Sequence, residues 1–478
     1  MEGTVPVFLT VDIDLLARSG SVSLTPAAVP IHLHGFYQTC FIYLPSTYHM
    51  QVHPSLPTYS PSSPAPSYSC EPACGEQTLQ HTPSNARPTP AFVFIKTAGK
   101  TTVVLNDQEE SAEIPSYGRQ GLVNGTICFQ NPENISEVVI KVEGKLETII
   151  SEAGGKSVKL LNTQYKLWTS RESQSSTCPA QVPFAVIIPT CFEDGDTTRP
   201  LPPSFHVMYR GVPSLFLKTS YNIHIIVTRI PHSKVEFWTK KKHISIPFKY
   251  YPRTRAYRPI LSIPSFFSTI KTSPEEWYQA SSCMKTRERS GIQPLEVHLF
   301  VPAGRIYALT DVIPFHLQLF GNVSSLRELF TSSLGRVTSA DSNRTFLSGK
   351  PPECKPVLRV FLLRQVTVEV KGQKSWRNTT IGEGRVWPMP PLLSNCCPSG
   401  SSGHLDWEGE LRVNQDVDVG GFNVANVQVK DFISLSLAPP CPQSSPLLEL
   451  QLTVPIRLVT DSWGDTTAMD GGFTGPVV

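Results

Sequence analysis

From Leu448 to Leu458 the chain sets an apolar side chain at every second position: Leu448, Leu450, Leu452, Val454, Ile456 and Leu458, against Glu449, Gln451, Thr453 and Arg457. A helix would scatter these residues around its axis, whereas a strand gathers them on one face. The segment therefore reads as a half-buried strand. Leu358, Val360, Leu362, Val366, Val368 and Val370 do the same against Arg359, Gln365, Thr367, Glu369 and Lys371. Val138, Ile140, Val142, Leu146 and Ile150 alternate with Lys141, Glu143, Lys145 and Glu147, and Gly144 between them suggests a strand pair bending there. Shorter stripes run through Ile223, Ile225 and Val227, and through Phe315, Leu317 and Leu319.

Further strands are expected at 92–96, 103–106, 121–130, 158–168, 184–188, 205–209, 244–249, 295–300, 380–387 and 427–437, with Gly-rich turns between them. Helix is scarce. Pro274-Glu275-Glu276-Trp277 reads as a helical first turn, and 324–330 as a second short helix. Many antiparallel strands with polar outer faces must bury their apolar faces against one another, which makes the fold class all-β with packed sheets. The chain's 478 residues suffice for two such bodies. The plan is a mostly disordered Pro/Ser-rich head at 1–90, a β-sandwich at 91–251, a connection at 252–291, a second sandwich at 292–463 and a tail at 464–478. A short strand near 35–44 is expected inside the head.

Net charge is only +3, which gives no general reason to bind nucleic acid. No run of about 18 apolar residues spans a membrane. The first residues carry Glu2, Asp12 and Asp14 without a basic leader, and are read as no secretory signal. The 11 cysteines are odd in number and irregularly spaced, which favours free thiols in a reducing compartment. Asn124, Asn134, Asn322, Asn343 and Asn378 head glycosylation sequons that matter only if the chain is secreted.

Two stretches are candidates for binding. The head holds Leu56-Pro57-Thr58-Tyr59 and Ala65-Pro66-Ser67-Tyr68. A Pro-rich chain is already extended, so Leu56, Pro57 and Tyr59, and again Pro66 and Tyr68, can enter the aromatic slots of a WW domain at little ordering cost. Two units close together add effective concentration. The second stretch is basic. Lys234, Lys240, Lys241, Lys242, Lys249, Arg253, Arg255 and Arg258 face only Glu236 within 234–258, eight positive minus one negative or +7, with Trp238, Tyr250, Tyr251 and Tyr257 interleaved. Such a run suits anionic lipid headgroups or acidic peptide tails; the bland alternative is a solvated strand edge guarded by lysine.

Enzyme signatures are weak. Gly382-Glu-Gly384 and Gly420-Gly421 lack the strand-to-helix setting of a phosphate loop. His32 and His34 have no further metal ligands close in sequence, Glu193-Asp-Gly-Asp196 reads as a solvated turn, and Cys396-Cys397 sits in a Ser/Gly/Pro loop. No catalytic residue, metal or cofactor is assigned.

The motifs also carry a resemblance. Tyr117-Gly-Arg-Gln-Gly-Leu-Val-Asn-Gly125 followed by 138–147 resembles the early strands of an arrestin amino-terminal domain. Pro183-Phe-Ala-Val-Ile-Ile-Pro189, Leu201-Pro-Pro-Ser-Phe205 and Ser220–Thr228 resemble its later strands. Tyr250-Tyr-Pro-Arg-Thr-Arg255 is similar to the exit from that domain in fungal arrestin-like proteins, and 313–319 and 448–463 to the ends of the carboxy-terminal domain. The resemblance covers about residues 91–463. It implies two arrestin-type β-sandwiches in tandem and a cytoplasmic adaptor at the plasma membrane or endosomes. Such adaptors bind membrane transporter or receptor tails and recruit a WW-domain ubiquitin ligase, so that the cargo is ubiquitinated and endocytosed. A retromer-like scaffold without ligase recruitment and a secreted adhesion sandwich are the alternatives. Thiol titration in denaturant separates the last: a cytoplasmic chain gives mostly free cysteines, and a secreted one mostly disulfides.

Overall fold

Along Ile135–Ile150 nearly every second side chain is buried, and the same beat runs through Leu215–Arg229 and Lys240–Tyr250. The three pair antiparallel, with Ile140 opposite Ile225, Val142 opposite Ile223 and Ile246 opposite Ile223 on its other side. Their apolar stripes therefore fuse into one surface, which only a second sheet can cover.

The computed structural model describes residues 92–110, 112–171, 177–230, 240–260, 266–330, 357–390 and 401–463, and the backbone of 76–79. The fold among them is all-β. One six-stranded sheet has the order Ser116–Tyr117, Lys240–Tyr250, Leu215–Arg229, Ile135–Ile150, Gly154–Thr169, with Phe205–Tyr209 added beside Leu215–Arg229. A four-stranded sheet, Phe92–Ala98, Thr101–Gln108, Leu122–Phe129, Gln181–Ile187, supplies Val103, Leu105, Val123, Ile127 and Phe184 to the same core. Together they form the first sandwich.

The second body is a ten-stranded sheet that folds back on itself. The device is the long strand Gln373–Met389. Its first part pairs with Leu358–Val370, and residues from Gly384 onward pair with Ser402–Leu411. Where the strand changes partner stand Gly382 and Gly384. A Cβ on Gly382 would lie 2.2 Å from the Arg412 carbonyl oxygen, and one on Gly384 2.5 Å from that of Val360. The Gly-x-Gly of the sequence is thus a sheet corner, where backbones meet too closely for a side chain.

Two expectations change. Residues 138–150 are not a strand pair but part of one unbroken strand, Ile135–Ile150, with a bulge between Gly144 and Lys145. Gly144 is there because a Cβ would sit 2.6 Å from the buried Tyr221 ring, whose hydroxyl donates to the Pro202 carbonyl at 2.6 Å. The second difference lies in residues expected to be connection. Trp277–Met284 is an edge strand of the ten-stranded sheet, and Arg253–Ala256 pairs antiparallel with Glu76–Leu79 from the Pro/Ser-rich head. Pro274–Glu276 forms a short 3-10 turn, and Val323–Leu329 the expected helix, its Asn322 cap accepting from the Ser324 amide. The strand expected near 35–44 lies outside the described residues.

Gly409 tests the close approaches. Its Cβ would meet Phe315 Cζ at 2.2 Å and the Arg385 carbonyl at 2.4 Å, whereas one on Gly155 meets nothing nearer than 3.5 Å. Gly409→Ala is expected to destabilise by roughly 3 kcal/mol and Gly155→Ala by less than about 0.5 kcal/mol, measured by urea denaturation of the full chain.

Candidate interaction surfaces and the buried polar joint

On the strand pair Leu358–Val370 and Val427–Leu437, the inward partners run Leu358 with Leu437, Val360 with Leu435, Leu362 with Ile433, Arg364 with Asp431, Val366 with Val429 and Val368 with Val427. The leucine end belongs to the core of the second body, and the valine end packs into the core of the first. The one polar pair lies between them. Arg364 Nε donates to Asp431 Oδ1 at 2.7 Å, and Nη2 to Oδ2 at 3.1 Å and to the Val419 carbonyl at 2.8 Å. Both side chains are buried, with relative exposures of 6% and 0%. The bidentate geometry and the third acceptor offset the desolvation that an isolated buried charge would suffer.

Around this pair the two bodies touch through unlike groups. Thr379 Oγ1 donates to the Tyr209 hydroxyl at 3.0 Å, Asn426 Nδ2 donates to Thr148 Oγ1 at 3.1 Å, and Phe205 meets Phe422 edge-on at 5.5 Å. Arg377 donates to the Pro213 carbonyl. Burial raises the Tyr209 phenol above its ordinary pKa, and the Arg364 charge works against that rise. Arg364 and Asp431 escaped the sequence reading, although a signal existed: both apolar stripes break at the same register position.

Several cations of the basic run have partners within the chain. Lys234 and Trp238 lie outside the described residues. Arg253 makes a bidentate pair with Asp461, Arg255 lies over the Trp463 ring at 5.3 Å, and Arg258 reaches Glu276 at 3.2 Å. Lys242 donates to the Ala98 carbonyl. These four cations tie the chain to itself. Of the aromatics, Tyr250 is buried against Tyr221, while Tyr257 is exposed.

Lys240, Lys241 and Lys249 are exposed. By register, Lys241 shares the outward face of the six-stranded sheet with Lys141, Lys145, Lys166 and Lys218, against Glu137, Glu143 and Glu147. Glu143 is held by Lys141 and Lys145, each at 3.2 Å, and by His224 at 3.4 Å. Burial raises the Glu143 pKa, but the two lysines prevail and lower it. Burial also lowers the His224 pKa, against the pull of Glu143. The cationic surface is thus assembled across strands, from residues far apart in sequence.

Leu56, Pro57, Tyr59, Pro66 and Tyr68 lie outside the described residues, as do His32, His34, Cys396 and Cys397. The acidic turn is a hairpin with Gly195 at φ +63°, and Asp194 takes a 2.8 Å bond from Arg199. Among the described residues no group of three or more His, Cys, Asp or Glu is placed to hold a metal ion. One buried acid–histidine pair does occur on the outer face of the second body. His316 Nε2 donates to Asp406 Oδ1 at 2.9 Å, with Glu408 4.0 Å from Nδ1. Phe266 stacks flat on the ring at 3.8 Å, so the pair is sealed beneath the helix Phe266–Thr272 and anchors it.

The chain matches no protein-family model and no curated protein. Removing one half of a buried pair leaves the other charge stranded. Arg364→Met or Asp431→Asn is therefore expected to cost about 3–5 kcal/mol, and the Arg364→Leu plus Asp431→Leu double variant far less. Chemical denaturation of the single and double variants gives the coupling directly.

Proposed function

We propose that this chain is an arrestin-like adaptor. It holds the tail of a membrane transporter or receptor on its sandwich surfaces, and its Pro-x-Tyr head recruits a WW-domain ubiquitin ligase, so that the cargo is ubiquitinated and endocytosed. It works from the cytoplasm, at the plasma membrane or endosomes. The observation that carries the reading is the order of the resembling segments on two successive β-bodies. The Pro183-Phe segment lies in the four-stranded sheet, Leu201–Phe205 leads into the strand beside Leu215–Arg229, and Tyr250–Arg255 leaves the first body. Leu448–Trp463 closes the second.

Surface chemistry supports the cargo half of the reading. Lysines on the outward six-stranded face, of which Lys141 and Lys145 share Glu143, outnumber its glutamates and give an acidic tail several positive charges on one face. The same charges suit anionic headgroups. No described helix is long and apolar enough to cross a membrane. A second reading, a retromer-like scaffold with no ligase link, is favoured by Leu56 and Ala65, which stand where a Pro-Pro-x-Tyr unit has its first proline.

The two readings part on the head. Capture of the full chain by immobilised WW domains is expected to fall by roughly tenfold in the Tyr59→Ala plus Tyr68→Ala variant, because each tyrosine fills its own slot. Capture unchanged by the double substitution removes the ligase step and leaves the scaffold.

A further inference from the structure

The six-stranded sheet ends on Gly154–Thr169. This strand is 16 residues long, whereas edge strands are usually kept short, because a free row of N–H and C=O groups invites another chain to pair. One of its edges is bonded to Ile135–Ile150, and among the described residues no strand lies along the other. Its core-facing side chains also overrun the core. Tyr165 stands opposite the buried Ile140, and Val158 opposite the buried Leu146, so both belong to the inner face. Tyr165 is nevertheless 43% exposed, and Val158 is only half-buried. The inner face is one strand short of covering them.

We propose that an extended, acidic segment of a partner protein adds to this edge as a further strand. Charge selects the occupant. The strand carries Lys156, Lys159 and Lys166 and no acid. A second copy of the same strand would set lysine against lysine and be repelled, whereas a chain of opposite sign is drawn in. Lys159 stands opposite Lys145 on the outward face, and Lys166 follows on that face. The glutamates lie one strand further back, where Lys141 and Lys145 each hold Glu143 at 3.2 Å.

Pleating then fixes the pattern the partner must carry. Successive side chains of an added strand alternate between the two faces of the sheet. Those on the outer face meet Lys159 and Lys166, and there Asp or Glu fits. Those on the inner face lie over Val158 and Tyr165, and there an apolar side chain fits. Backbone bonds supply affinity for any extended chain, and the alternation supplies the choice. A lipid surface meets neither demand, since its headgroups offer no ladder of amides and cannot cover inward side chains. The proposal rests on the adaptor reading only in taking the partner to be a cargo tail.

The probe is a capped peptide of about twelve residues alternating Asp and Val, titrated against the full chain by fluorescence anisotropy. It is expected to bind at about 10–100 μM. The same peptide with Lys for Asp, or with its amides N-methylated, is expected to bind at least about tenfold more weakly. Hydrogen exchange in Gly154–Thr169 is expected to slow on binding. Lys159→Glu plus Lys166→Glu weakens binding at least about tenfold, whereas Lys96→Glu plus Lys374→Glu, the same charge change at exposed sites elsewhere, leaves it unchanged. Circular dichroism checks that the variants stay folded; if they do not, N-methylation and exchange on the wild type decide. No binding at about 1 mM, protection confined to other strands, or indifference to N-methylation overturns the proposal. So does a chain that binds phosphatidylserine vesicles through Lys159 and Lys166 but not the peptide, which gives the edge to the membrane. Each of these leaves capture by WW domains untouched, and loss of that capture leaves peptide binding intact.

Discussion

Two strands serve two hydrophobic cores, and most of the molecule's order follows from that sharing. Leu358–Val370 and Val427–Leu437 stay paired through residues that belong at one end to the second body and at the other to the first. Cores separated by a flexible linker would be free to reorient. Cores threaded by the same pair of strands cannot move apart without breaking backbone ladders or exposing valines, each worth roughly 1.5–3 kcal/mol when fully buried. Arg364 and Asp431 stand where the two apolar regions meet. A buried ion pair adds little net stability over a hydrophobic equivalent, but it does not tolerate a shifted register. Slipping either strand by one residue would turn its charge to the wrong face and strand the other in the core. The pair's role is thus better described as fixing alignment than as adding strength.

Close backbone contact is the second theme. Gly144, Gly382, Gly384 and Gly409 each occupy a place where a Cβ would collide with a ring or a carbonyl. Three of them surround the turn from one half of the ten-stranded sheet to the other. The sheet can double back only where side chains are absent, so these glycines determine where the second body folds over.

Periodicity made much of this legible in the sequence. Val427–Leu437 has the bounds expected of it, and the stripes at 223–227, 315–319 and 358–370 all fall within strands. What failed to show had physical reasons. Ser402–Leu411 went unseen because its stripe of Leu405, Trp407 and Leu411 is broken by Gly409, where Phe315 fills the space from the neighbouring strand. Trp277–Met284 is an edge strand with little to bury. Charge counting along the basic run could not show partners: Asp461 lies more than 200 residues from Arg253, and no local window brings them together. The surfaces hid for the same reason, since a sheet face is written across strands.

The four-residue pairing of Glu76–Leu79 with Arg253–Ala256 has a mechanical meaning. The same short strand is bonded on its other side to the end of the described chain, where Asp461 donates its amide to the Thr254 carbonyl at 2.9 Å and clasps Arg253. Among the described residues, tension arriving along the backbone ahead of Glu76 meets this three-way splice before the strands of either core. A short antiparallel splice loaded along its strands resists in shear, with its hydrogen bonds sharing the force, and it gives way well before a core does. With four residues of ladder against the fifteen that pair Leu215–Arg229 with Ile135–Ile150, the splice is the weaker link on that path.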